Sequence, residues 1–426
     1  LHVNYGGILQ AYALQTVLTN MGHDANVVYS PPVERPKHLF RPLHLIYRCL
    51  KRYVFHKQVI IRYEWFRYKQ YKRYMMVSKN IQPFIDKYIH KYYGTALYTV
   101  RKDDFDCFVV GSDQIWRPLY ALQIEGAYLG YTAAWDIKRI AYAASFGVDK
   151  WEYTQEQTEH CKQLIEQFDA VSVREESGVK LCKDNFDIDV QWLLDPTMLL
   201  DKVDYIKLMQ KAGLDDEPLS KIVTYILDSD ESNTSLSNYI ADSKGMKIYR
   251  LPGDPYNVMN SIDENNSLPS IETWLNALYK AEFVFTDSFH GCVFSIIFNK
   301  PFYVYKNEIR GNARINSLLH LYGLESRIIS SLEGYDKIKD DFIDWNKPIL
   351  LEQVEKVKKQ AQKENIEIDI VIDGIIKIND RIIKNGEDFY GSLKMPQKDK
   401  SSFLYRSGID GVIYYDGGEN YVIFNP

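Results

Sequence analysis

The chain has 426 residues, of which 46% are hydrophobic, and its formal net charge is −5. The length predicts two domains with a further segment, and the hydrophobic fraction is sufficient for a core in each domain. The acidic balance argues against general binding of nucleic acid, and no run reaches the roughly 18 apolar residues that a membrane span requires.

The cysteines are odd in number and form no CxxC pair. They are Cys49, Cys107, Cys161, Cys182 and Cys292. With no signal peptide ahead of them, this usage indicates a reducing, cytoplasmic compartment without a disulfide framework. The spacing also predicts no metal site.

The first pattern along the chain is a glycine turn that opens a helix. Asn4-Tyr5-Gly6-Gly7 leads into a helical pattern over 6–21. A βα unit has a strand ahead of such a turn, so we expect the chain to be a fragment truncated on its N-terminal side. Two glycines at a helix start let a ligand approach the backbone, although a structural glycine turn is the more common case.

Residues 37–77 carry eleven lysines and arginines against one acid, Glu64, with aromatic residues between them. This composition predicts one or two basic amphipathic helices within an insert over 37–93. One interpretation is a solvated insert that packs on its own domain. The other is contact with an anionic membrane surface, or capture of an anionic lipid-linked acceptor.

Beyond the insert, apolar runs alternate with helical patterns, which predicts parallel sheets with helices on both faces. We therefore predict an α/β fold with two doubly wound Rossmann-like domains, 1–200 and 201–350, and a C-terminal appendage, 351–426. The predicted strands are 24–29, 107–110, 139–143, 170–173, 222–227, 247–251, 283–285 and 302–305, and the predicted helices include 155–167 and 271–280. The cleft between the two domains is the expected site.

The appendage differs in character from the rest of the chain. A charge-rich helix is predicted over 351–365, followed by a polar linker at 394–402. The glycine pairs and apolar runs within 408–424 predict a β-hairpin.

The most informative single turn is Thr286-Asp287-Ser288-Phe289-His290-Gly291, which follows a buried-looking strand. At the carboxyl end of a parallel strand, free N–H groups and the helix dipole favour an anion. His290 can move a proton near neutral pH. The alternative is a histidine with a structural role.

Further candidates also follow predicted strands. Asp113 could accept a proton from a sugar hydroxyl or cap a helix, and Trp116 could stack on a sugar or pack in the core. Arg174 could bind a carboxylate or phosphate through two hydrogen bonds, or pair with a neighbouring glutamate. Arg310 and Arg314 could complete a phosphate site or lie on a surface loop.

Six segments, in order over residues 1 to about 330, resemble the polysaccharide pyruvyl transferase family. They are residues 4–10 (NYGGILQ), 109–116 (VVGSDQIW), 141–147 (AYAASFG), 172–178 (SVREESG), 194–197 (LDPT) and 286–291 (TDSFHG). The family is similar to two-domain GT-B glycosyltransferases. The resemblance implies transfer of an enolpyruvyl unit from phosphoenolpyruvate to a sugar of a surface polysaccharide, forming a pyruvate ketal.

The resemblance also implies roles for the candidate residues. Arg174 would bind the donor, and His290 would contact its phosphate or act as the acid, with Asp113 as the candidate base. The remaining donor candidates are Thr286, Ser288, Arg310 and Arg314, and the acceptor candidates are Asn4, Tyr5, Gly6, Gly7 and Trp116. Phosphoenolpyruvate is a co-substrate, the acceptor is a glycan or lipid-linked glycan, and neither cofactor nor metal is expected.

Two segments depart from the family pattern. Many members carry an arginine two residues before the histidine, where this chain has Ser288. That difference shifts anion binding towards Arg310 and Arg314, or leaves room for a GT-B-type glycosyltransferase using a nucleotide-sugar or for a non-catalytic glycan- or phosphate-binding module. Residues 403–426 resemble the closing strands of phage-associated ADP-ribosyltransferase-like modules. Because no catalytic part accompanies them, an accessory hairpin is favoured.

Overall fold

A computed structural model gives the fold. It describes residues 3–29, 42–57, 63–93, 100–121, 123–214, 219, 221–253, 267–307, 310–339 and 343, together with five C-terminal strands. The predicted helix at 351–365 and the linker at 394–402 lie outside the described residues.

Among the described residues between 138 and 338, helices alternate with strands, as expected of an α/β chain. The α-helices are Tyr5–Asn20 (α1), Pro42–Tyr53 (α2), Tyr63–Val77 (α3), Gln82–Tyr88 (α4), Gln155–Ile165 (α5), Glu176–Phe186 (α6), Lys202–Lys211 (α7), Glu231–Ser243 (α8), Ile271–Lys280 (α9), Phe289–Ile297 (α10), Ala313–Tyr322 (α11) and Leu332–Ile338 (α12). Short 3₁₀ helices lie at Lys102–Asp104, Pro118–Tyr120, Ile124–Tyr128, Gly130–Thr132, Pro196–Leu199 and Glu325–Arg327.

The strands form separate sheets. They are Val27–Tyr29 (β1), Lys91–Tyr93 (β2), Cys107–Val110 (β3), Lys138–Ala144 (β4), Ala170–Val173 (β5), Gln191–Trp192 (β6), Lys221–Tyr225 (β7), Lys247–Leu251 (β8), Phe283–Thr286 (β9), Phe302–Tyr305 (β10), Ile328–Ile329 (β11), Ile370–Asp373 (β12), Ile375–Ile378 (β13), Arg381–Ile382 (β14), Ile413–Asp416 (β15) and Glu419–Val422 (β16).

The first sheet has the order β3-β4-β5-β6, and all its pairs are parallel. A separate parallel pair joins β1 to β2. Behind the first sheet, an aromatic core includes Trp116, Tyr128 and Phe146, each at most 2% exposed. Burial of such large rings stabilises this half of the chain.

The second sheet has the order β11-β10-β9-β7-β8 and is also parallel throughout. From β7 the chain first adds β8 on one side and then β9, β10 and β11 on the other. This order places a topological switch point between β7 and β9, where doubly wound sheets bind ligands. All four residues of β9 are buried, as expected for a central parallel strand.

The two parallel sheets, each interleaved with helices, confirm the predicted α/β fold class with two Rossmann-like halves. Both sheets belong to one compact unit of the chain, whereas β12 to β16 belong to another. In that second unit β12, β13 and β14 pair antiparallel, as do β15 and β16. The domain boundaries near residues 200 and 350 remain predictions.

The predicted basic insert contains helices α2, α3 and α4 in its described residues. Within the described part of the chain, none of the helices combines the length and apolar character needed to cross a bilayer. Among the same residues, histidine, cysteine and acidic side chains form no group of three that could hold a metal ion.

Candidate active site

The candidate site lies where loops from the carboxyl ends of strands in both sheets meet. In the first sheet, Asp113 follows β3, Arg174 directly follows β5, and Asp195 lies just beyond β6. In the second, His290 lies in the first turn of α10 after β9, and Arg314 lies in the first turn of α11 after β10. Ligands of parallel α/β sheets bind at this edge.

A fully buried carboxylate, Asp195, connects these loops. Its Oδ2 accepts hydrogen bonds from Nε2 of Gln10 (2.5 Å), Oγ of Ser112 (3.2 Å) and Nη1 of Arg174 (2.6 Å). Its Oδ1 accepts from the backbone N–H (3.0 Å) and hydroxyl (2.7 Å) of Thr197. One side chain thereby fixes α1, the β3 loop and the end of β5.

The surroundings of Asp195 keep its carboxylate ionised. Burial by itself would raise the pKa of Asp195, but nearby His290, the charge of Arg174 and the hydrogen bond from Thr197 together hold that pKa well below its usual range. A charged anchor of this kind fixes the position of Arg174 and places negative charge beside His290.

Arg174 is buried, and only some of its N–H donors form hydrogen bonds. Besides the Asp195 hydrogen bond, its Nη2 lies 3.6 Å from Oδ1 of Asp113, and its Cζ lies 4.4 Å from the centre of the Phe289 ring. Nε and Nη2 of Arg174 have no hydrogen-bond partner among the described residues. A buried guanidinium with unused donors is suited to an anionic ligand.

A second buried guanidinium belongs to Arg314. Its Cζ lies 5.6 Å from the centre of the Phe289 ring, and Nη1 lies 4.0 Å from Oδ1 of Asp113. With the Gln114 amide oriented to satisfy its oxygen, that oxygen accepts from Nη2 of Arg314 at 2.7 Å. Burial, followed by the neighbouring charge of Arg174, lowers the pKa of Arg314 to about 10, so the group stays cationic at neutral pH.

Two buried arginines share the same aromatic ring, and the ionised carboxylates beside them, Asp113 and Asp195, leave several of their N–H donors unused. Nε of Arg314 and Nε2 of His290 also have no hydrogen-bond partner in the described part of the chain. Buried donors without partners are rare in folded proteins. Their clustering here indicates a site for a ligand with several anionic oxygens.

His290 fits closely against the first helix. Its Nε2 lies 3.7 Å from Oδ2 of Asp195, and its side chain is 9% exposed. A Cβ atom on Gly6 would lie 2.0 Å from Nδ1 of His290, whereas a Cβ on Gly7 would have no neighbour nearer than 3.6 Å. Gly6 was predicted to let a ligand approach the backbone; the described group that approaches it is the imidazole.

Asp113 lies at the more open edge of the site, with a side chain 40% exposed. Partial burial would raise the pKa of Asp113, but Arg174, Arg314 and His290 lower it, so the carboxyl is ionised at neutral pH. Nδ2 of Asn4 donates to its Oδ2 at 3.5 Å. The structure therefore brings Asp113 and Asn4 together with the arginines.

The turn before α10 satisfies its own polar groups. The Thr286 hydroxyl donates to the carbonyl of Tyr225 (2.6 Å) and accepts from the Ser288 N–H (3.0 Å). Ser288 caps α10 through a hydrogen bond from the Gly291 N–H to its Oγ (3.4 Å). Both hydroxyls make their hydrogen bonds within the turn. They therefore favour an anion indirectly, by fixing the free N–H groups at the start of α10.

Glu175, next to Arg174, is a fully buried carboxyl that the sequence did not single out. Its Oε1 accepts from the backbone N–H groups of Phe146 (2.6 Å) and Gly147 (3.0 Å), and Oε2 has no hydrogen-bond partner among the described residues. Burial raises the pKa of Glu175, and the charge of Arg174 opposes this only in part. Glu175 ties the β4 loop to the start of α6.

Arg310, a predicted donor-binding residue, forms an ion pair. Its Nε and Nη2 donate to the two carboxylate oxygens of Asp228 at 2.6 and 2.9 Å. Asn307 donates to both Asp228 (2.7 Å) and Asp287 (2.9 Å), and Asp287 also accepts the backbone N–H of Leu227 at 2.6 Å. These bonds hold together the loops at the switch point of the second sheet.

Two of the predicted acceptor residues are core residues. Trp116 is fully buried and stacks on Tyr128 at 4.9 Å, which is the core alternative considered for it. Tyr5 is 1% exposed, stacks on Trp274, and donates from its hydroxyl to the carbonyl of Pro269 at 2.8 Å. Neither buried ring presents a surface to a sugar.

Asp195, Glu175 and Phe289 were missed as site residues by the sequence reasoning. All three lie inside the segments that carry the family resemblance, which was the available signal. Asp195 lies close to the predicted domain boundary at residue 200, in a Leu-Asp-Pro-Thr sequence that is also typical of a capped turn. Asp195 does cap the 3₁₀ helix at Pro196–Leu199.

The fold defines an α/β protein with two parallel sheets, and a family model identifies the family to which it belongs. The polysaccharide pyruvyl transferase model matches residues 4–308. The chain belongs to the polysaccharide pyruvyl transferase family. The matched region contains the first sheet, strands β7 to β10 of the second sheet and, except for Arg310 and Arg314, all predicted site residues.

Other comparisons add little. One similar solved structure is a variant of the wall teichoic acid polymerase TagF, at 11% identity and a TM-score of 0.34, covering 77% of this chain and 99% of that one. A similarity of this size carries no argument about this chain. No curated protein matches the sequence significantly.

Proposed function

We propose that this chain transfers the enolpyruvyl group of phosphoenolpyruvate to a sugar of a surface polysaccharide, or to its lipid-linked precursor, and forms a pyruvate ketal. The observation that carries the proposal is the pair of buried guanidinium groups, Arg174 and Arg314, whose unused N–H donors cluster with Nε2 of His290. Membership of the pyruvyl transferase family supports the same reaction class.

The donor suits this pair because phosphoenolpyruvate carries a phosphate and a carboxylate. Each group can accept parallel hydrogen bonds from an arginine. The N–H groups at the start of α10, which Ser288 caps, add a partial positive charge. Many family members have an arginine two residues before the histidine, where this chain has Ser288. In this proposal Arg314 supplies that positive charge.

The reaction requires a proton at the methylene carbon of the donor. We assign that proton to His290, which lies beside the charge of Asp195. Protonation turns the methylene into a methyl group and makes C2 electrophilic; one sugar hydroxyl adds to C2, a second closes the ketal, and the C2–O bond to phosphate breaks. One of the two hydroxyl protons replaces the proton that His290 donated, and the other leaves with phosphate.

Asp113 is the proposed partner of the attacking hydroxyl. Its carboxylate is ionised and 40% exposed, so it can orient a hydroxyl and accept its proton. Asn4 and the Gly6-Gly7 backbone lie on the same side and complete the proposed acceptor edge. Because Arg174 and Arg314 supply positive charge, we expect neither a metal nor a further cofactor, so dialysis against EDTA should leave the rate unchanged.

The proposed location is the cytoplasm. All five cysteines are free, and three of them, Cys161, Cys182 and Cys292, are buried. Unpaired thiols in this number suit a reducing compartment.

The deciding experiment follows phosphate release from phosphoenolpyruvate in the presence of candidate acceptor glycans. We expect acceptor-dependent release by the wild type, and a loss of about 100-fold or more in kcat/KM for Arg174→Lys, which keeps the charge but not the paired donors. Lys180→Arg, at a 77% exposed side chain, is the matched control and should retain full activity.

Two outcomes would contradict the proposal. Turnover of a nucleotide-sugar without acceptor-dependent phosphate release would indicate a GT-B-type glycosyltransferase. Thermal stabilisation by a glycan or by phosphate, with no turnover of either donor, would indicate a non-catalytic binding module.

A further inference from the structure

Helix α2 and the turn after it form the most exposed apolar segment in the described part of the chain. None of the side chains from 45 to 57 is buried. The exposed fractions are 55% for Ile46, 67% for Tyr53 and 65% for Phe55. Large apolar side chains left in water at this density mark an interaction surface.

The exposed side chains lie on one face of the helix. Ile46, Leu50 and Tyr53 recur at intervals of four and three residues, and with Leu45, Cys49 and Val54 they line a shallow apolar groove. Arg48 and Lys51 lie on the opposite face by the same helical period. The segment is therefore an amphipathic helix with a basic polar face.

The charge of this segment contrasts with that of the whole chain. Residues 42–57 contain four lysines and arginines and no acid, whereas the chain carries a net charge of −5. The next helix, α3, adds four more basic residues against Glu64. Unlike α2, α3 is anchored at its end, where Tyr74 is 5% exposed and Val77 is fully buried.

We propose that α2 and residues 54–57, here called the docking segment, bind the surface of an anionic lipid bilayer. Apolar and aromatic side chains would enter the headgroup region while the basic face remains at the charged surface. Charge complementarity selects this occupant. A second copy of the segment would bring like charges together. The inference is independent of the donor chemistry.

The test is sedimentation of the purified full chain with vesicles of phosphatidylcholine alone or mixed with phosphatidylglycerol. We expect binding only to the vesicles that contain the anionic lipid. Binding should weaken by about fivefold for each positive charge removed, as in Lys51→Gln and Arg52→Gln, and should decrease as salt is added.

The apolar part is tested with the triple variant Ile46→Ser, Leu50→Ser and Tyr53→Ser. Its matched control is Met21→Ser, Val203→Ser and Leu332→Ser, at side chains that are 43%, 55% and 46% exposed elsewhere. We expect the first variant to lose at least tenfold in vesicle affinity and the control to bind like the wild type. Both should keep the circular dichroism spectrum and the phosphate release of the wild type with a water-soluble acceptor.

Three results would overturn the inference. The first is equal sedimentation with both kinds of vesicle, and the second is unchanged binding by the docking-segment variant. The third is a wild type that forms a dimer in solution, ignores vesicles and becomes monomeric in the triple variant, because the face would then be an interface between copies of this chain.

Discussion

Five hydrogen bonds converge on the carboxylate of Asp195, and without its charge the buried Arg174 would keep only Asp113, at 3.6 Å, as a counterion among the described residues. The exposed Asn4 side chain contributes only longer hydrogen bonds, to Asp113 at 3.5 Å and from the Gly7 N–H at 3.3 Å. Substitutions in this part of the molecule therefore divide into those that leave a buried charge unpaired and those that only change the shape of the site.

Asp195→Asn should lower the free energy of unfolding at pH 7 by roughly 3–5 kcal/mol, since it removes the buried, hydrogen-bonded counterion of Arg174. The pKa of Asp195 is lowered in the folded state, so its contribution to stability is present above the unfolded value of about 3.9 and is lost as the pH falls. Urea unfolding between pH 3 and pH 7 measures both effects.

Asp184→Asn is the control, because Asp184 pairs with Lys180 at a 51% exposed side chain and should cost less than about 1 kcal/mol. Equal losses for the two variants would contradict the anchoring role of Asp195.

Gly6→Ala should reduce phosphate release from phosphoenolpyruvate by about 100-fold, because the new methyl group would occupy the position of the His290 imidazole. Gly7→Ala adds the same methyl group one residue later, where the nearest atom is 3.6 Å away, and should remain near wild-type activity. Steady-state rates of both variants test the packing, and loss of activity in both would indicate a general effect of alanine in this turn.

At the level of secondary structure, the site depends on how helices begin after buried strands. α10 starts with Ser288 as its cap and places His290 in its first turn. The cap sets the direction of the free N–H groups and of the imidazole together. A small change at this helix start should therefore affect function more than stability.

Ser288→Ala should lower the free energy of unfolding by about 1 kcal/mol through loss of the cap, and should also reduce kcat/KM for the donor. Ser270→Ala is the matched control. Ser270 caps α9 through the Thr273 N–H at 3.1 Å, away from the described site residues, so it should cost similar stability and leave kinetics unchanged. Identical kinetics for both variants would argue against a role for the start of α10 in donor binding.

The sequence supplied the elements that carry the site. The strands at 107–110, 170–173, 247–251 and 302–305 and the helix at 271–280 were predicted with the bounds observed, because apolar runs between turn residues identify buried parallel strands. Contacts between residues far apart in the chain could not be predicted from the sequence. Nothing local shows that Gln10 and Ser112 donate to Asp195, or that Asp228 binds Arg310.

At the scale of the whole molecule, loops from the two sheets touch beside the site. A Cβ on Gly311, whose φ is +79°, would lie 2.2 Å from the carbonyl oxygen of Gly147. Arg117 pairs with Glu152 and also donates to the carbonyl of Arg310 at 3.4 Å. These contacts set how closely Arg314 approaches Arg174.

Gly311→Ala should raise the KM for phosphoenolpyruvate, because the added methyl group would push the two loops apart. Gly213→Ala is the control for the strain of placing a side chain at a positive φ. Gly213 has a φ of +73°, and no atom lies within 4 Å of the position a Cβ would take. We therefore expect about 1 kcal/mol of destabilisation and an unchanged KM. Thermal unfolding and donor titration distinguish the two effects. A KM that rises equally in both variants would contradict the contact.

The site is assembled from segments that leave the ribosome at very different times. Asp195 is synthesised about 95 residues before His290, a delay of roughly 5–20 s at ordinary rates of translation. Because Arg174 and Asp195 already neutralise each other, the earlier-made part can bury its charges before the rest exists. A chain that stops early should therefore remain folded in its first sheet yet be inert, and mixing it with the missing piece offers a route to a split enzyme.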